Sequence, residues 1–148
     1  MSAAAAALTP FAALQTHPWA FPALEAVHIA GIAVLVGNLV LFEARLLGLG
    51  SAIAVRPLAW LALPLAIAGF ALAAASGLLM FATQPADLLP NPAFRLKMLL
   101  ILVAGANAVW FQARGSLDRV DVPGRLLAGG SLLLWLAVLA CGRAIAYV

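Results

Sequence analysis

The sequence predicts an all-α integral membrane protein, an up-down-up-down four-helix bundle preceded by a short N-terminal interfacial segment. Hydrophobic residues make up 66% of its 148 residues and charged residues only 9%, whereas soluble domains are about 45 to 50% apolar. The apolar residues form four long stretches, and each reaches the ~20 residues that a helix needs to cross a bilayer. These predicted spans are 21–47, 57–82, 93–113 and 124–148.

Local signals mark where the spans begin. Asn91 followed by Pro92 is typical of an N-cap with proline at the first helical position of the third span. Asp121 and Pro123 form a similar signal before the fourth span. Pro64 lies inside the second span, where its ring removes a backbone hydrogen bond, so we expect a kink there.

The N-terminal region and the loops indicate a single transmembrane domain over residues 1–148. Residues 1–20 contain no Lys or Arg, which disfavours both a cleavable signal peptide and a mitochondrial presequence. The segment 8–19 is instead expected to lie at the membrane surface, with Trp19 and Phe21 at headgroup level. Short loops leave no length for a soluble domain and make neighbouring helices antiparallel.

The distribution of basic residues predicts the orientation. The regions around the first and third loops carry five arginines and the opposite side carries three basic residues. By the positive-inside rule, both termini are expected on the periplasmic side of a bacterial inner membrane. The basic residues form no stripe, which disfavours nucleic-acid binding. The two groups are Arg45, Arg56, Arg114, Arg119 and Arg125, against Arg95, Lys97 and Arg143.

Small residues recur at helical spacing in three spans. Such residues let transmembrane helices approach closely, either within the bundle or between copies in a homo-oligomer, and the sequence does not distinguish the two. They are Ala30, Ala33 and Gly37 in the first span, Gly69, Ala73 and Gly77 in the second, and Ala104 and Ala108 in the third.

Four ionisable residues, Glu25, His28, Lys97 and Arg143, are predicted at similar depth near one membrane face. Glu25 and His28 are three residues apart and share a helix face, so Glu25 could hold the His28 ring proton. Unpaired charges are costly in a membrane. We therefore expect Glu25 to form a salt bridge with Lys97 or Arg143. The remaining cation would then suit a propionate, a lipid phosphate or a partner's carboxylate.

Other polar residues receive structural interpretations. Asn38 and Asn107 have comparable depth and are expected to form hydrogen bonds between the first and third spans. Glu43 and Arg45, near the end of the first span, are interpreted as ordinary interfacial charges. Cys141 is the only cysteine and is interpreted as a small packed hydrophobe.

Three stretches together resemble a known group of proteins. LEAVHIAGIAVLVG at 24–37, FRLKMLLILVAGANAVWF at 94–111 and WLAVLACGRAIAY at 135–147 resemble an uncharacterised family of short bacterial four-helix membrane proteins. More distantly they are similar to the copper-resistance D-type and b-type cytochrome four-helix domains. The matching positions are Glu25, His28, Lys97, Asn107, Gly142, Arg143 and Tyr147.

The cytochrome-like resemblance implies a b-type haem between the first and third spans. In many relatives a histidine follows the phenylalanine that ends the third span, and here that position is Gln112, a poor haem ligand. The resemblance therefore implies a haem with His28 as its one metal ligand and with propionates on Lys97 and Arg143.

Three functions follow from these observations. The first is a non-catalytic membrane protein whose periplasm-side polar cluster binds a lipid, a quinone, an anionic cofactor group or a partner subunit. The alternative is a b-type haem electron-transfer protein that uses His28. A third, proton or ion movement past Glu25, His28 and Asn38, is disfavoured because the interior offers no continuous polar path. No nucleophile and base pair is evident, which favours a protein that is not an enzyme.

Overall fold

The computed structural model describes residues 17–148, which form four long helices and one short helix. The four long helices are long and apolar enough to span a membrane, so the chain is an all-helical, multi-pass membrane protein, as predicted. The predicted interfacial segment lies outside the described residues except at 17–19. The helices are α1 (Ala20–Leu46), α2 (Val55–Thr83), α3 (Pro85–Leu88), α4 (Pro92–Ala113) and α5 (Val122–Ala144).

The predicted N-caps of α4 and α5 are both present. Asn91 Oδ1 accepts a hydrogen bond of 3.1 Å from the amide of Phe94, and Asp121 Oδ1 accepts one of 2.9 Å from the amide of Gly124. Each bond satisfies an amide that the first helical turn leaves without a partner. The side chain of Asn91 therefore fixes the start of α4, and that of Asp121 fixes the start of α5.

The fourth span is shorter than predicted, because α5 ends at Ala144 rather than at 148. The final residues fold over the start of α4 instead of extending the helix. The side-chain nitrogen Nδ2 of Asn91 donates to the backbone oxygen of Ile145, at 3.2 Å, and to that of Val148, at 2.7 Å. One side chain thus caps α4 and holds the chain end.

The helices α1 and α2 form the closest pair in the bundle. A Cβ atom on Gly31 would lie 2.7 Å from the amide nitrogen of Ala73, and one on Gly69 would lie 2.5 Å from that of Leu35. Both contacts are with backbone, so these two positions require glycine. The predicted stripe on α2 is therefore correct at Gly69 and Ala73.

The predicted stripe on α1 forms no contact within the bundle, and its alternative role as a face between copies stays a prediction. Ala30, Ala33 and Gly37 are exposed on the surface of the bundle, and α2 packs instead against Gly31 and Leu35, which are buried. A glycine lies on each of these two faces, Gly31 on one and Gly37 on the other, so only the packed structure distinguishes them.

The long helices surround the bundle axis in the order α2, α1, α5, α4. Backbone contact is extensive between α1 and α2 and between α4 and α5, and moderate between α1 and α5. The helices α2 and α4 scarcely meet through their backbones. Phe81 and Phe94 bridge them by stacking, with ring centroids 5.5 Å apart. The last side of the bundle is therefore partly open.

The two ends of the bundle differ in character. The arginine-rich end holds the α1–α2 and α4–α5 loops, and the terminal end holds Trp19, α3 and the last residues of the chain. The main buried cluster lies at the arginine-rich end and joins all four long helices. It consists of Phe42, Leu46, Leu58, Ala59, Ala62, Phe111 and Ala128.

Ion pairs connect the loops of the arginine-rich end. Arg56 pairs with Asp118 at 2.6 Å and Arg114 pairs with Asp121 at 3.1 Å. The Gly124 amide and the Arg114 guanidinium both favour the ionised carboxyl, and they hold the pKa of Asp121 below its usual value. Two of the arginines that define the orientation are thus paired with carboxylates.

Candidate functional site

A cavity of about 720 Å³ lies in the half of the bundle nearer the arginine-rich end, with walls from all four long helices. Its α1 and α5 walls are buried: Leu35 is 5% exposed and Ser131 is 9% exposed. On α2 and α4, by contrast, some lining residues are exposed: Ile67 and Val109 are each 69% exposed. The cavity therefore opens sideways between α2 and α4, toward the hydrocarbon of a surrounding bilayer.

Aromatic rings form much of the inner surface of the cavity. Phe42 and Phe111 meet edge to face with centroids 6.2 Å apart, and Phe70 and Trp135 meet similarly at 6.1 Å. All four rings line the cavity. Edge-to-face packing holds ring orientations, so the rings give the cavity fixed walls suited to a flat apolar molecule.

Glu43 is the one carboxylate that lines this cavity. It is only 4% exposed, and its Oε2 atom has no hydrogen-bond partner within residues 17–148. The side chain of Ser131, on α5, interacts with the same carboxyl group. An unsatisfied buried polar atom costs about 1 to 3 kcal/mol, so a ligand that forms a hydrogen bond with Glu43 would remove that cost.

The interpretation of Glu43 as an interfacial charge is wrong. Its position near the end of α1 suggested exposure, but the α1 face that carries it packs against the other helices. The sequence holds one signal of this: Leu35, Leu39, Phe42 and Leu46 recur at spacings of three and four residues on that face. Glu43 lies four residues after Leu39 and shares the stripe.

The two asparagines do not connect the first and third spans as expected. Asn107 Nδ2 donates to the carbonyl of Leu127 at 3.1 Å, which joins α4 to α5. Asn38 Nδ2 donates to the carbonyl of Val34 in its own helix, at 2.7 Å. Asn107 lines the cavity together with Gln112, so it adds polar character near Glu43, whereas Asn38 does not line it.

His28 lies in the half nearer the terminal end and packs against α2. Its Nδ1 atom is 2.8 Å from the carbonyl of Ala73 and 3.1 Å from Ser76 Oγ. Because a carbonyl can only accept, Nδ1 carries the proton and a neutral ring has its lone pair on Nε2. The ring lies against Gly77, which has no side chain: the Cε1 atom of His28 is 3.1 Å from the place that a Cβ atom on Gly77 would take. Backbone and serine, not Glu25, hold its proton.

The expected ion pair of Glu25 with Lys97 or Arg143 is not formed. Glu25 is exposed, and the salt bridges within residues 17–148 involve neither it nor the two cations. The guanidinium of Arg143 lies 4.8 Å from the ring centroid of Tyr147 and donates to the hydroxyl of that residue at 2.5 Å. Lys97 is half-buried and faces α5, whereas Arg95, on nearly the opposite side of the helix, is exposed.

The structure separates Gln112 from His28. Both α1 and α4 begin at the terminal end, His28 is eight residues beyond Ala20, and Gln112 is twenty beyond Pro92. At ~1.5 Å per residue the two positions differ in depth by about 18 Å. A histidine at 112 would therefore not share a haem iron with His28, and two-histidine ligation by these positions is wrong for this fold.

Metal-binding groups and known relatives give no further guidance. No group of three or more His, Cys, Asp and Glu side chains converges anywhere in the part of the chain that the structure describes. Cys141 is a half-buried free cysteine. Comparisons with protein-family models, with curated proteins and with solved structures find no match to this chain.

Proposed function

We propose that this chain is a non-catalytic membrane protein that binds a neutral, lipid-soluble molecule of the quinone class in the cavity between its helices. The observation that supports this is an apolar cavity of about 720 Å³, open to the side, with Glu43 in its wall, whose Oε2 atom has no hydrogen-bond partner within residues 17–148. Sites for small molecules usually have about 300 to 1,000 Å³ and few polar groups. The proposal moves the binding site from the predicted terminal-end cluster to the opposite half of the bundle.

The lining chemistry favours this class of ligand. A quinone combines a flat ring with an isoprenoid tail, which fits aromatic walls and an exit between α2 and α4. The hydroxyl of Ser131 and a protonated carboxyl of Glu43 can donate hydrogen bonds to the carbonyl oxygens of a quinone ring. A phosphate or propionate would bring a negative charge into a low-dielectric cavity whose described lining contains no Lys, Arg or His, which is unfavourable. We therefore favour a neutral ligand over an anionic one.

Fluorescence of Trp135 tests the proposal. The other tryptophans, Trp19, Trp60 and Trp110, are 75%, 78% and 61% exposed, so replacing them with phenylalanine should leave the bundle intact. Trp135 lines the cavity. Titrating this variant in nanodiscs with a short-tailed quinone should quench Trp135 in a saturable manner.

Two glycines provide a matched pair of variants for this titration. A Cβ atom on either Gly105 or Gly37 meets no atom within 4 Å, but only Gly105 lines the cavity. Gly105→Phe should abolish the saturable quenching and Gly37→Phe should preserve it. Equal quenching in both variants, or quenching that rises linearly with quinone in the bilayer, would rule out the cavity as the binding site.

One observation favours the second candidate, a b-type haem on His28. With Nδ1 donating to Ala73, Nε2 of a neutral ring has a free lone pair, and metal-bound histidines commonly have this backbone-held arrangement. His28 would hold the haem iron, and haem would supply electron-transfer chemistry there. An absorption spectrum of the dithionite-reduced protein decides: sharp α and β bands support haem, and no absorption above 300 nm excludes it.

For the orientation, we propose that both termini are periplasmic in a bacterial inner membrane. The arginine count supports this, since the arginine-rich end holds Arg45, Arg56, Arg114, Arg119 and Arg125. The cavity would then lie in the cytoplasmic half of the bilayer.

A further inference from the structure

Lys97 is a partly buried cation without a carboxylate partner among residues 17–148. It lies five residues beyond Pro92, so its backbone is about 7 to 8 Å from the start of α4. Its side chain crosses to α5, where the Nζ atom is 3.6 Å and the Cε atom 3.8 Å from the position of a Cβ on Gly142. The missing side chain of Gly142 thus makes room for the lysine.

The acidic residues of the terminal end do not neutralise Lys97. Glu25 and Asp87 are exposed, and the ion pairs formed within residues 17–148 lie at the arginine-rich end. His28 offers Lys97 no negative charge, and the Nδ1 proton of that ring is already held by α2. A lysine in this position would therefore keep its charge only with an external anion.

Arg143 is a second cation at the same end of the bundle, on α5. It follows Gly142, the residue against which Lys97 packs, and its side chain is exposed at the membrane boundary over Tyr147. A basic pocket between transmembrane helices is a recurring site for phosphate headgroups. The tyrosine hydroxyl, bonded to Arg143, offers a further polar group at the same level.

We infer that the groove between α4 and α5 at the terminal end binds a phosphate group, with Lys97 as the central contact and Arg143 as the outer one. The depth of Lys97, about one and a half helical turns below the start of α4, indicates a phosphate at headgroup level with its acyl chains beside the helices. This site is separate from the cavity and does not depend on its ligand.

The test measures thermal unfolding of the purified protein in a neutral detergent with three probes: phosphatidylglycerol, phosphatidylcholine and inorganic phosphate. The variants are Lys97→Met, which keeps the length and removes the charge, and Arg95→Met as control. Arg95 is two residues away, exposed and on nearly the opposite side of α4. Lys97→Arg should restore the response.

Phosphatidylglycerol should raise the unfolding temperature of the wild type and of Arg95→Met alike. Lys97→Met should need about tenfold more of this lipid for the same rise, as expected for loss of a charge-assisted contact. An equal rise with inorganic phosphate, lost in Lys97→Met, would support phosphate recognition with a soluble ion as its source. Equal responses of Lys97→Met and Arg95→Met, or no response of the wild type, would overturn the inference.

Discussion

Replacing Gly69 with alanine should loosen the closest helix pair of the bundle. The new Cβ atom would lie 2.5 Å from the backbone nitrogen of Leu35, 2.8 Å from the carbonyl oxygen of Gly31 and 3.1 Å from the Cα of Leu35. Ordinary contact begins near 3.4 Å, so the helices must separate by close to 1 Å. A gap of that size forfeits a quarter to a half of each dispersion contact, and overpacking of this kind costs about 1 to 3 kcal/mol.

The assay is unfolding of the purified protein in mixed micelles with increasing SDS, followed by circular dichroism. Gly37→Ala is the control, because its Cβ meets no atom within 4 Å and it receives the same gain in helix propensity. Gly69→Ala should be less stable than Gly37→Ala by about 1 to 3 kcal/mol. Gly31→Ala should lose about as much stability as Gly69→Ala. The double variant should lose less free energy of unfolding than the two single variants added together. Equal stability of Gly69→Ala and Gly37→Ala would refute the close backbone contact between α1 and α2.

Three further predictions concern other parts of the molecule. Glu43→Met should raise the free energy of unfolding without ligand by about 1 to 3 kcal/mol, because it removes a buried unsatisfied oxygen; a decrease in the same SDS assay would contradict this. Asp121 has a lowered pKa in the folded protein. The stability that its carboxylate gives the fold is therefore complete above the pKa of the unfolded state, and it is lost as the pH falls through the pKa of the folded state. Asp121→Asn should keep the helix cap at pH 7, but its unfolding temperature should no longer show the fall that Asp121 causes on acidification. The same fall in this variant would argue against the Asp121 carboxylate as its source. For orientation, in a cysteine-free background, an impermeant thiol reagent on spheroplasts should label Ala86→Cys and leave Ser51→Cys and Val120→Cys unmodified; the reverse pattern would invert the topology.

The sequence predicted the spans and their boundaries because those depend on local properties. Hydropathy over about twenty residues decides whether a segment stays in the bilayer, and the amide of a first helical turn needs a nearby acceptor. Asn91 and Asp121 provide those acceptors, and both caps are present. The first three helices that cross the membrane begin and end within two residues of the predicted limits.

The packed faces could not be predicted with the same success, because a membrane span is apolar all round. In a soluble helix the polar face identifies the buried one, but here Gly31 and Gly37 are equally compatible with a contact. Glu43 was misplaced for a related reason: near a helix end, a charge can face either headgroups or the interior. Glu43 is covered because its face of α1 packs against the other helices.

The polar cluster at the terminal end was predicted from depth alone. Depth follows from counting residues along a helix, and Lys97 does face the bundle. The partners of a side chain depend on rotation and on local competition for hydrogen bonds. His28 therefore bonds to α2, Arg143 turns to Tyr147, and Glu25 stays exposed.

Extraction of the native ligand tests the central claim most directly. The wild-type protein, Gly105→Phe and Gly37→Phe would be purified from membranes in mild detergent, washed and extracted with organic solvent. Mass spectrometry of the extract would then compare the retained molecules per protein. We predict one neutral quinone-class molecule per chain in the wild type and Gly37→Phe, and its loss in Gly105→Phe, whose side chain fills the cavity. The same amount of quinone in all three proteins, or none in the wild type, would contradict the proposed function.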